Sequence, residues 1–302
     1  MARTLISVVG PTGIGKTELA IKIAQFFGTE ILSCDSRQFF KEMPIGTAAP
    51  SKEELAIVPH HFIGHLSITE DYSIGRYEKE ALALLDKLFQ RYKAVVMVGG
   101  SGMYEKAVVE GLNDLPKANE NYIKELEQIL NKEGIEALQK QLEAQDEAYY
   151  QQVDKDNPRR LIRALDIIKQ TGKPYSEIIA ETKPKRDFNT IRIVLTAPRE
   201  IIYERINQRV DRMMEKGLLD EVKGLLQYQD RVALNTVGYT ELFNYLNGDW
   251  ELDFAVSEIK KNSRRYAKHQ MTWNRKLPHL IELPYQYSNE ELVSLLNNLN
   301  LK

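Results

Sequence analysis

The feature that most constrains this chain is a glycine-rich run at residues 10–17, which reads GPTGIGKT. It follows an apolar run, Leu5 to Val9, that is typical of a buried strand, and it precedes helically spaced apolar residues from Glu18 to Phe27. A strand, a glycine-rich loop and a helix in this order are the context in which G-x-x-x-x-G-K-[ST] predicts a phosphate-binding loop. The sequence therefore predicts that the chain binds a di- or triphosphate.

Each part of this loop has an expected role in holding the anion. The glycines leave backbone N–H groups free to converge on it, and the N-terminus of the following helix adds about half a positive charge. Lys16 supplies a point charge, and the Thr17 hydroxyl can hold Mg²⁺. The predicted anion-binding set is therefore Gly10, Pro11, Thr12, Gly13, Ile14, Gly15, Lys16 and Thr17, with Thr17 as the metal ligand.

Composition narrows the class of protein. The 302 residues suffice for a large core and more than one domain, and the apolar runs are too short to span a bilayer. A single cysteine, Cys34, allows no intrachain disulfide, and with no signal peptide expected we predict a cytoplasmic protein. The net charge of −2 argues against indiscriminate nucleic-acid binding but allows a local basic surface. His60, His61 and His65 lack cysteine partners and are interpreted as structural residues.

The order of the predicted elements indicates an α/β fold. Further strands are predicted at Thr29 to Cys34, Ala94 to Val98, Ile191 to Ala197 and His279 to Leu283. Helices are predicted at Ser73 to Tyr92, Pro198 to about Tyr228, Thr236 to Leu246 and Phe254 to Lys276, whereas Phe39 to Pro59 is predicted to be irregular.

The composition changes near Gly111. Residues 118–187 are rich in Glu, Gln, Lys and Leu at helical spacing and contain no convincing strand. Because strands stop before this stretch and resume after it, we predict an inserted all-helical domain over residues 113–189. The parallel-sheet core would then be discontinuous and consist of residues 1–112 and 190–302.

Two polar side chains follow predicted strands. Asp35 and Ser101 should share one crevice with the phosphate loop, because the carboxyl ends of parallel strands meet at one edge. Asp35 can hold Mg²⁺ or accept a proton, and its structural alternative is a helix cap or turn. Ser101 can bond a phosphate or a substrate edge, or can close a turn. No other predicted strand ends in an apolar run followed by Asp, which weakens the interpretation as an ATPase.

Three basic clusters could bind RNA. Their members are Arg159, Arg160 and Arg163; Arg209 and Arg212; and the basic residues of 260–276, where Tyr266, His269 and Trp273 are interleaved. A charge run is usually a solvated face, but three clusters in a chain of net negative charge suit a phosphate backbone and unstacked bases.

As a set, these segments resemble the bacterial tRNA dimethylallyltransferases, which modify the adenosine just 3′ of the anticodon. The matching segments span nearly the whole chain: GPTGIGKT at 10–17, CDSRQ at 34–38, IGTAAP at 45–50, HHFIGHL with DYS within 60–73, GGSGMY at 99–104, RRLIRAL at 159–165, QRVDRMMEKGLLDEV at 208–222, VGYTEL at 237–242 and RRYAKHQMTWNR at 264–275. The glycine-rich loop alone occurs in many families, whereas this combination is highly specific.

The resemblance implies a P-loop NTPase-like parallel-sheet core with an inserted helical domain and a channel through the core. Dimethylallyl diphosphate would enter one end, and the flipped-out adenosine of the tRNA anticodon stem-loop would enter the other, with Mg²⁺ as the cofactor. The enzyme is expected to be a monomer.

The resemblance also implies individual roles. Lys16 and Thr17 would bind diphosphate and Mg²⁺, Asp35 would accept a proton from the N6 amine, and Arg209, together with Arg212, would clamp the diphosphate. Gln38 would hydrogen-bond the base, and Ser101 stands where the family usually has threonine. The implied catalytic set is Lys16, Thr17, Asp35, Ser101 and Arg209, and the implied tRNA-binding set is Asp35, Ser36, Arg37, Gln38, Ser101, Arg159, Arg160, Leu161 and Ile162.

Some positions depart from the family pattern. Ala49 stands where lysine is common and Phe40 where tyrosine is usual, while Ser263, His269 and Asn274 differ from the common TR…AKRQ…TWFR pattern. The strength of tRNA contact by that helix is therefore open. Two alternatives stay open as well: a P-loop kinase of a nucleoside or small metabolite, with Asp35 as the base for a hydroxyl, and a non-catalytic RNA-binding protein.

Overall fold

A computed structural model describes residues 3–181 and 184–301 of the chain. The chain divides into two compact units, Met1–Val109 with Arg186–Lys302 and Glu110–Lys185. The second unit corresponds to the predicted insertion, but it begins at residue 110 rather than 113 and ends at 185 rather than 189. We call the first the core unit and the second the helical unit.

The core unit is built on a parallel sheet. Its strands within the described residues are β1 (Thr4–Val9), β2 (Ile31–Ser33), β3 (His60–His61), β4 (Ala94–Val98), β5 (Asn189–Thr196) and β6 (Leu280–Pro284), in the order β3-β2-β4-β1-β5-β6. Every neighbouring pair runs parallel, as in the pairing of Ile6 with Val96 and with Ile191. The carboxyl ends of the strands therefore lie at one edge, which confirms the predicted α/β class.

The helices surround this sheet or form the helical unit. In chain order they are α1 (Lys16–Phe27), α2 (Lys52–Ile57), α3 (Ile74–Leu88), α4 (Gly102–Glu110), α5 (Glu120–Glu133), α6 (Ile135–Gln145), α7 (Glu147–Tyr150), α8 (Pro158–Thr171), α9 (Tyr175–Ala180), α10 (Arg199–Glu215), α11 (Leu218–Gly224), α12 (Tyr239–Leu246), α13 (Leu252–Asn274) and α14 (Asn289–Asn298). Within the described ranges, no helix is long and apolar enough to cross a membrane.

Several predicted boundaries are wrong for local reasons. The segment 39–59 is not wholly irregular, because Ser51 and Glu54 form a reciprocal capping box that begins α2. The long helical region predicted from Pro198 to about Tyr228 is present, and it is divided into α10 and α11 at Gly217, whose φ of 93° favours glycine. The sequence interpretation also left β3, α4 and α14 unassigned.

Both faces of the sheet are buried. Leu5, Val95 and Met97 project to one face, where they pack with Tyr77 of α3 and residues of α10 to α13. Ile6 and Val96, one position along, project to the other face, which α1 and part of α10 cover. Continuous apolar strands are what a doubly covered parallel sheet requires.

The helical unit has a separate core of leucines. Leu126 of α5, Leu138 and Leu142 of α6, and Leu161 and Leu165 of α8 are all completely buried. The equally buried Asp166 accepts hydrogen bonds from the Asn119 backbone N–H, from Gln170 and from Arg163. Its charge is thereby compensated inside an apolar core, as a buried carboxylate requires.

Candidate active site

The glycine-rich loop joins β1 to α1, as predicted. Gly13 and Gly15 have φ values of 79° and 110°, which side chains other than glycine rarely adopt. Other elements fix the loop from outside: the Thr12 N–H donates to Gln270 Oε1 of α13 at 2.7 Å, and Arg205 of α10 donates to the Gly13 carbonyl at 2.9 Å. The loop is thus held in its anion-binding shape by tertiary contacts.

The lysine of this loop lies among other charges. Lys16 Nζ donates to the Pro11 carbonyl at 2.9 Å, and burial, with Arg209 adding to the effect, lowers the pKa of Lys16 to about 8, while Asp35 opposes the shift. Burial likewise lowers the pKa of Arg209, and Asp35 again opposes the shift. Asp35 therefore lies near Lys16 and Arg209, while phosphate binding beside it stays a prediction.

The two oxygens of the Asp35 carboxylate have different surroundings. Its Oδ1 accepts the Arg37 backbone N–H at 3.0 Å, so the structural alternative, a turn aspartate, also holds. Oδ2 points toward Gly100, where an added Cβ would lie 3.3 Å from this oxygen and 2.7 Å from Gln270 Nε2. The absence of a side chain at Gly100 therefore keeps space open beside the carboxylate.

The loop after β4 is tied to the loop after β2. Ser101 Oγ accepts the Ser36 backbone N–H at 3.0 Å and lies 2.9 Å from the Ser36 hydroxyl. The Gly100 carbonyl accepts hydrogen bonds from Gln270 and Tyr266 of α13 at 2.8 and 3.2 Å. Ser101 is therefore an organising residue of the crevice and precedes α4 directly.

Three neighbouring side chains donate hydrogen bonds to main-chain carbonyls. Arg209 donates to the Thr47 carbonyl at 3.2 Å, and Gln38 donates to the carbonyls of Thr47 and Ala48 at 3.3 and 3.2 Å. The guanidinium of Arg37 donates to the carbonyls of Val232, Ala233 and Asn235. Arg37 thus joins the Asp35 loop to the segment before α12.

Two cavities meet at this crevice. The smaller, of about 300 Å³, is lined by the glycine-rich loop with Lys16 and Thr17 and by Arg205, Arg209 and Arg212. The larger, of about 610 Å³, includes apolar side chains of α10, α11 and α13 in its lining, among them Val210, Met213, Leu218 and Ile259. The residues that line both are Thr12, Asp35, Gly99, Gly100, Arg209, Tyr266 and Gln270. The aspartate therefore lies where the cavity lined by the glycine-rich loop adjoins a roomier chamber.

Comparison with known proteins agrees with this arrangement. The sequence model of a protein family described as IPP transferase matches residues 38–277. The chain belongs to this family. A tRNA dimethylallyltransferase of Christiangramia forsetii is 53% identical over 280 residues, which cover 93% of each chain.

Solved structures of IPP transferases share the fold. The full-length tRNA isopentenylpyrophosphate transferase of Bacillus halodurans has a TM-score of 0.74 and 35% identity, covering 99% of this chain and 96% of that one. A eukaryotic dimethylallyltransferase, solved acting on tRNA, has a TM-score of 0.87 and 25% identity, covering 99% and 80% of the two chains. The predicted P-loop NTPase-like parallel-sheet core is therefore confirmed.

In this IPP transferase, the predicted tRNA-binding residues of α8 differ in exposure. Arg159 and Arg160 are exposed, and their role in binding tRNA stays a prediction. Leu161 is completely buried and Ile162 is 8% exposed, and both belong to the leucine core of the helical unit. The expectation that these two residues face the tRNA is therefore wrong for their side chains, because the helical period turns both positions toward the core of the helical unit.

The basic helix α13 also differs from its interpretation as an RNA-binding surface. Lys260 pairs with Asp211, Lys261 pairs with Glu258, and Arg264 donates to Asn207, so part of the charge is used within the core unit. Ser263, His269 and Asn274, the departures from the family pattern, line the larger cavity. These departures therefore affect the cavity wall directly.

Sequence reasoning missed the residues that join the elements of the site. Gln270 contacts both loops, Tyr266 contacts the second, and Arg205 contacts the first. The sequence does contain one hint, because Gln270 occupies a position of α13 where the helical pattern predicts a buried side chain. A buried amide needs hydrogen-bond partners. That signal does not reveal which distant loop supplies them.

Proposed function

We propose that this chain transfers a dimethylallyl group from dimethylallyl diphosphate to the N6 amine of the adenosine 3′-adjacent to the anticodon in tRNA, with release of diphosphate. The observation that carries the proposal is the position of Asp35 between an anion-binding cavity and a larger chamber. The names of the relatives support the reaction class and the RNA substrate.

The smaller cavity is suited to a diphosphate leaving group. The loop amides, Lys16 and Arg209 place positive charge where negative charge grows as the carbon–oxygen bond breaks. Because these groups are preorganised, they stabilise the departing diphosphate without reorganisation of water. Arg212 lines the same cavity and adds to this field.

The residues present fit a bound Mg²⁺. The Thr17 hydroxyl lines the smaller cavity and is a hard oxygen donor of the kind that Mg²⁺ prefers. Among the residues described, no group of three or more His, Cys, Asp or Glu side chains could hold a metal ion. Mg²⁺ at phosphate sites is usually held through one or two protein ligands together with substrate phosphates. When bound, Mg²⁺ supplies charge neutralisation for the leaving group.

Asp35 is placed to receive the proton of the amine. The N6 nitrogen forms a bond to the allylic carbon as that carbon loses its bond to diphosphate oxygen, and the nitrogen then carries a proton that must leave. Oδ1 is fixed by the Arg37 N–H, so the carboxylate has a defined orientation and presents Oδ2 beside Gly100. A positioned carboxylate of this kind acts as a general base.

The larger cavity would accept the adenosine and the dimethylallyl group. Its volume of about 610 Å³ and its apolar side chains suit a flipped base next to a small hydrocarbon. Extruding the base costs about a few kcal/mol in a duplex and less in an exposed anticodon loop. Ser101 lines this cavity and would contact the base, whereas Gln38 lines the smaller cavity and would reach the base from that side.

Label transfer tests the proposal. Purified protein is incubated with Mg²⁺, radiolabelled dimethylallyl diphosphate and unmodified tRNA, and label is expected in the RNA. A matched tRNA with guanosine at the target position lacks the N6 amine and is expected to stay unlabelled. ATP consumption without labelling would instead support the kinase alternative, and neither activity would support an RNA-binding protein.

We further propose that the enzyme is a cytoplasmic monomer. Cys34 is free and buried, which suits a reducing compartment in which disulfides are rare. Light scattering on the eluted protein is expected to give the mass of one 34.8 kDa chain. A doubled mass would contradict the monomer.

A further inference from the structure

A carboxylate outside the predicted site holds the loop of residues 45–48, which we call the 45–48 loop. Glu221 of α11 accepts the Ile45 backbone N–H at 2.8 Å through Oε2 and the Gly46 N–H at 2.9 Å through Oε1. Two adjacent amides that converge on one carboxylate fix both the position and the orientation of the chain between them. No local pattern connects these residues, which are 175 and 176 positions apart in the chain.

A buried tyrosine completes this contact. Tyr239 is completely buried at the start of α12, and its hydroxyl donates to Glu221 Oε1 at 2.5 Å. Its ring lies so close to Gly46 that an added Cβ would be 2.5 Å from the ring. Burial and the neighbouring Glu221 raise the pKa of Tyr239, so the phenol stays protonated and acts as a donor. The 45–48 loop is therefore held between a carboxylate and an aromatic ring.

The other side of the 45–48 loop faces the cavities. The Thr47 carbonyl accepts hydrogen bonds from Arg209 and Gln38, and the Ala48 carbonyl accepts a second one from Gln38. Arg209 lines both cavities, and Gln38 lines the smaller one. The 45–48 loop thus links Glu221 to two side chains of the candidate active site, Arg209 and Gln38.

We propose that Glu221 and Tyr239 are positioning residues that set the guanidinium of Arg209 for the diphosphate through the Thr47 carbonyl. This rests on the proposed function in one respect, since it takes Arg209 to bind the diphosphate. A buried guanidinium with one main-chain acceptor keeps its direction only while that carbonyl stays in place. If the two amides lose their acceptor, the Thr47 carbonyl moves, and the charge of Arg209 no longer points at the departing oxygen.

The test compares variants in the binding of inorganic pyrophosphate and in transfer kinetics. Glu221→Gln keeps the shape but puts an NH₂ group opposite one of the N–H groups, and Tyr239→Phe removes only the hydroxyl. The matched control is Asp220→Asn on the same helix, whose side chain is 83% exposed and pairs with Lys223. Calorimetry gives the pyrophosphate dissociation constant, and thermal melts verify folding.

We expect Glu221→Gln to weaken pyrophosphate binding about tenfold and Tyr239→Phe about threefold, as the loss of a charge-assisted hydrogen bond predicts. KM for dimethylallyl diphosphate rises in parallel, and Asp220→Asn stays within about twofold of the wild type. In an Arg209→Ala background, Glu221→Gln adds less than about twofold to the pyrophosphate dissociation constant, because the group it positions is gone.

Two results would overturn the inference. One is unchanged pyrophosphate affinity in a Glu221→Gln variant that melts like the wild type. The other is an equal loss with and without Arg209, which indicates a general structural role. If Glu221→Gln does not fold, Tyr239→Phe is judged by the same two criteria. Pyrophosphate binding needs no RNA, so the inference holds or fails independently of label transfer in the wild type.

Discussion

The two cavities of the core unit are built in different ways. The smaller takes six lining residues from one continuous segment, the loop and first turn of α1, and three arginines from α10, while residues elsewhere in the core unit complete its lining. The larger is lined by residues of the loops that follow the strands, by the segment before α12, and by α4, α10, α11 and α13. An anion site can be encoded locally because backbone amides and one helix terminus supply most of its binding groups. A chamber for an organic group requires many distant side chains.

The two cavities also divide two chemical steps between them, the departure of diphosphate and the removal of a proton. In the proposed reaction, groups of the smaller cavity bind the departing diphosphate, whereas Asp35 receives a proton from the side of the larger cavity. Arg209, which lines both, is the point at which the tasks are coupled. Variants that affect one side and spare the other therefore test whether the division is real.

The largest effect is expected for Asp35→Asn. The amide keeps the size of the side chain but accepts no proton, so kcat should fall by about 10²–10⁴. Pyrophosphate affinity should not fall, because the loop amides, Lys16 and Arg209 are unchanged and one negative charge beside them is removed. Single-turnover label transfer and calorimetry provide the two measurements. Full activity in this variant would remove the general-base role and with it the distinction between the two sides.

Lys16→Met tests the other side, because it keeps the length of the side chain and removes its charge. Pyrophosphate affinity should fall about 10- to 100-fold, in line with the loss of a charge-assisted contact to an anion. Binding of tRNA alone should be preserved, because the larger cavity does not include Lys16. A filter-binding assay for tRNA beside calorimetry for pyrophosphate measures both. An equal loss of both affinities would contradict separate sites.

A pH series sharpens the role of Lys16. Its pKa of about 8 in the unliganded protein means that the cationic form, which binds the anion, predominates below pH 8. Metal-free pyrophosphate affinity should therefore be highest below pH 8 and decline as the pH rises above it, by at most about tenfold per unit. Lys16→Met serves as the control, since it retains only the titration of pyrophosphate itself. The same slope in both proteins would show that Lys16 does not titrate in this range.

The smallest effect is expected on the side of the larger cavity, for Ser101→Ala. Loss of the hydroxyl leaves the Ser36 N–H without its acceptor. This destabilises the folded arrangement of the two loops by about 1–3 kcal/mol. KM for tRNA should rise a few-fold, while Ser101→Thr, which keeps the hydroxyl, should stay near the wild type. Steady-state kinetics with varied tRNA distinguish the two variants. A rise confined to the prenyl substrate would place Ser101 on the diphosphate side.

Elements with strong local signals were predicted well. β4 was predicted at its observed bounds, and β1 and α1 differ from prediction by one or two residues, because apolar runs and the glycine-rich loop are local patterns. Short elements failed: β3 has two residues, and α2 has six and is fixed by a cap more than by an apolar face. Periodicity does not detect elements of that length.

The glycine-rich loop, the aspartate after the second strand and the serine after the fourth were found from the sequence alone, since each follows a strand whose carboxyl end must share one edge. Only the tertiary structure decided that Gln270 joins the two loops, that Glu221 holds the 45–48 loop, and that Leu161 and Ile162 lie inside the helical unit. The physical reason is range. Strand and loop conformation depends largely on a few neighbouring residues, whereas a side-chain hydrogen bond between residues more than a hundred positions apart exists only after the chain has folded.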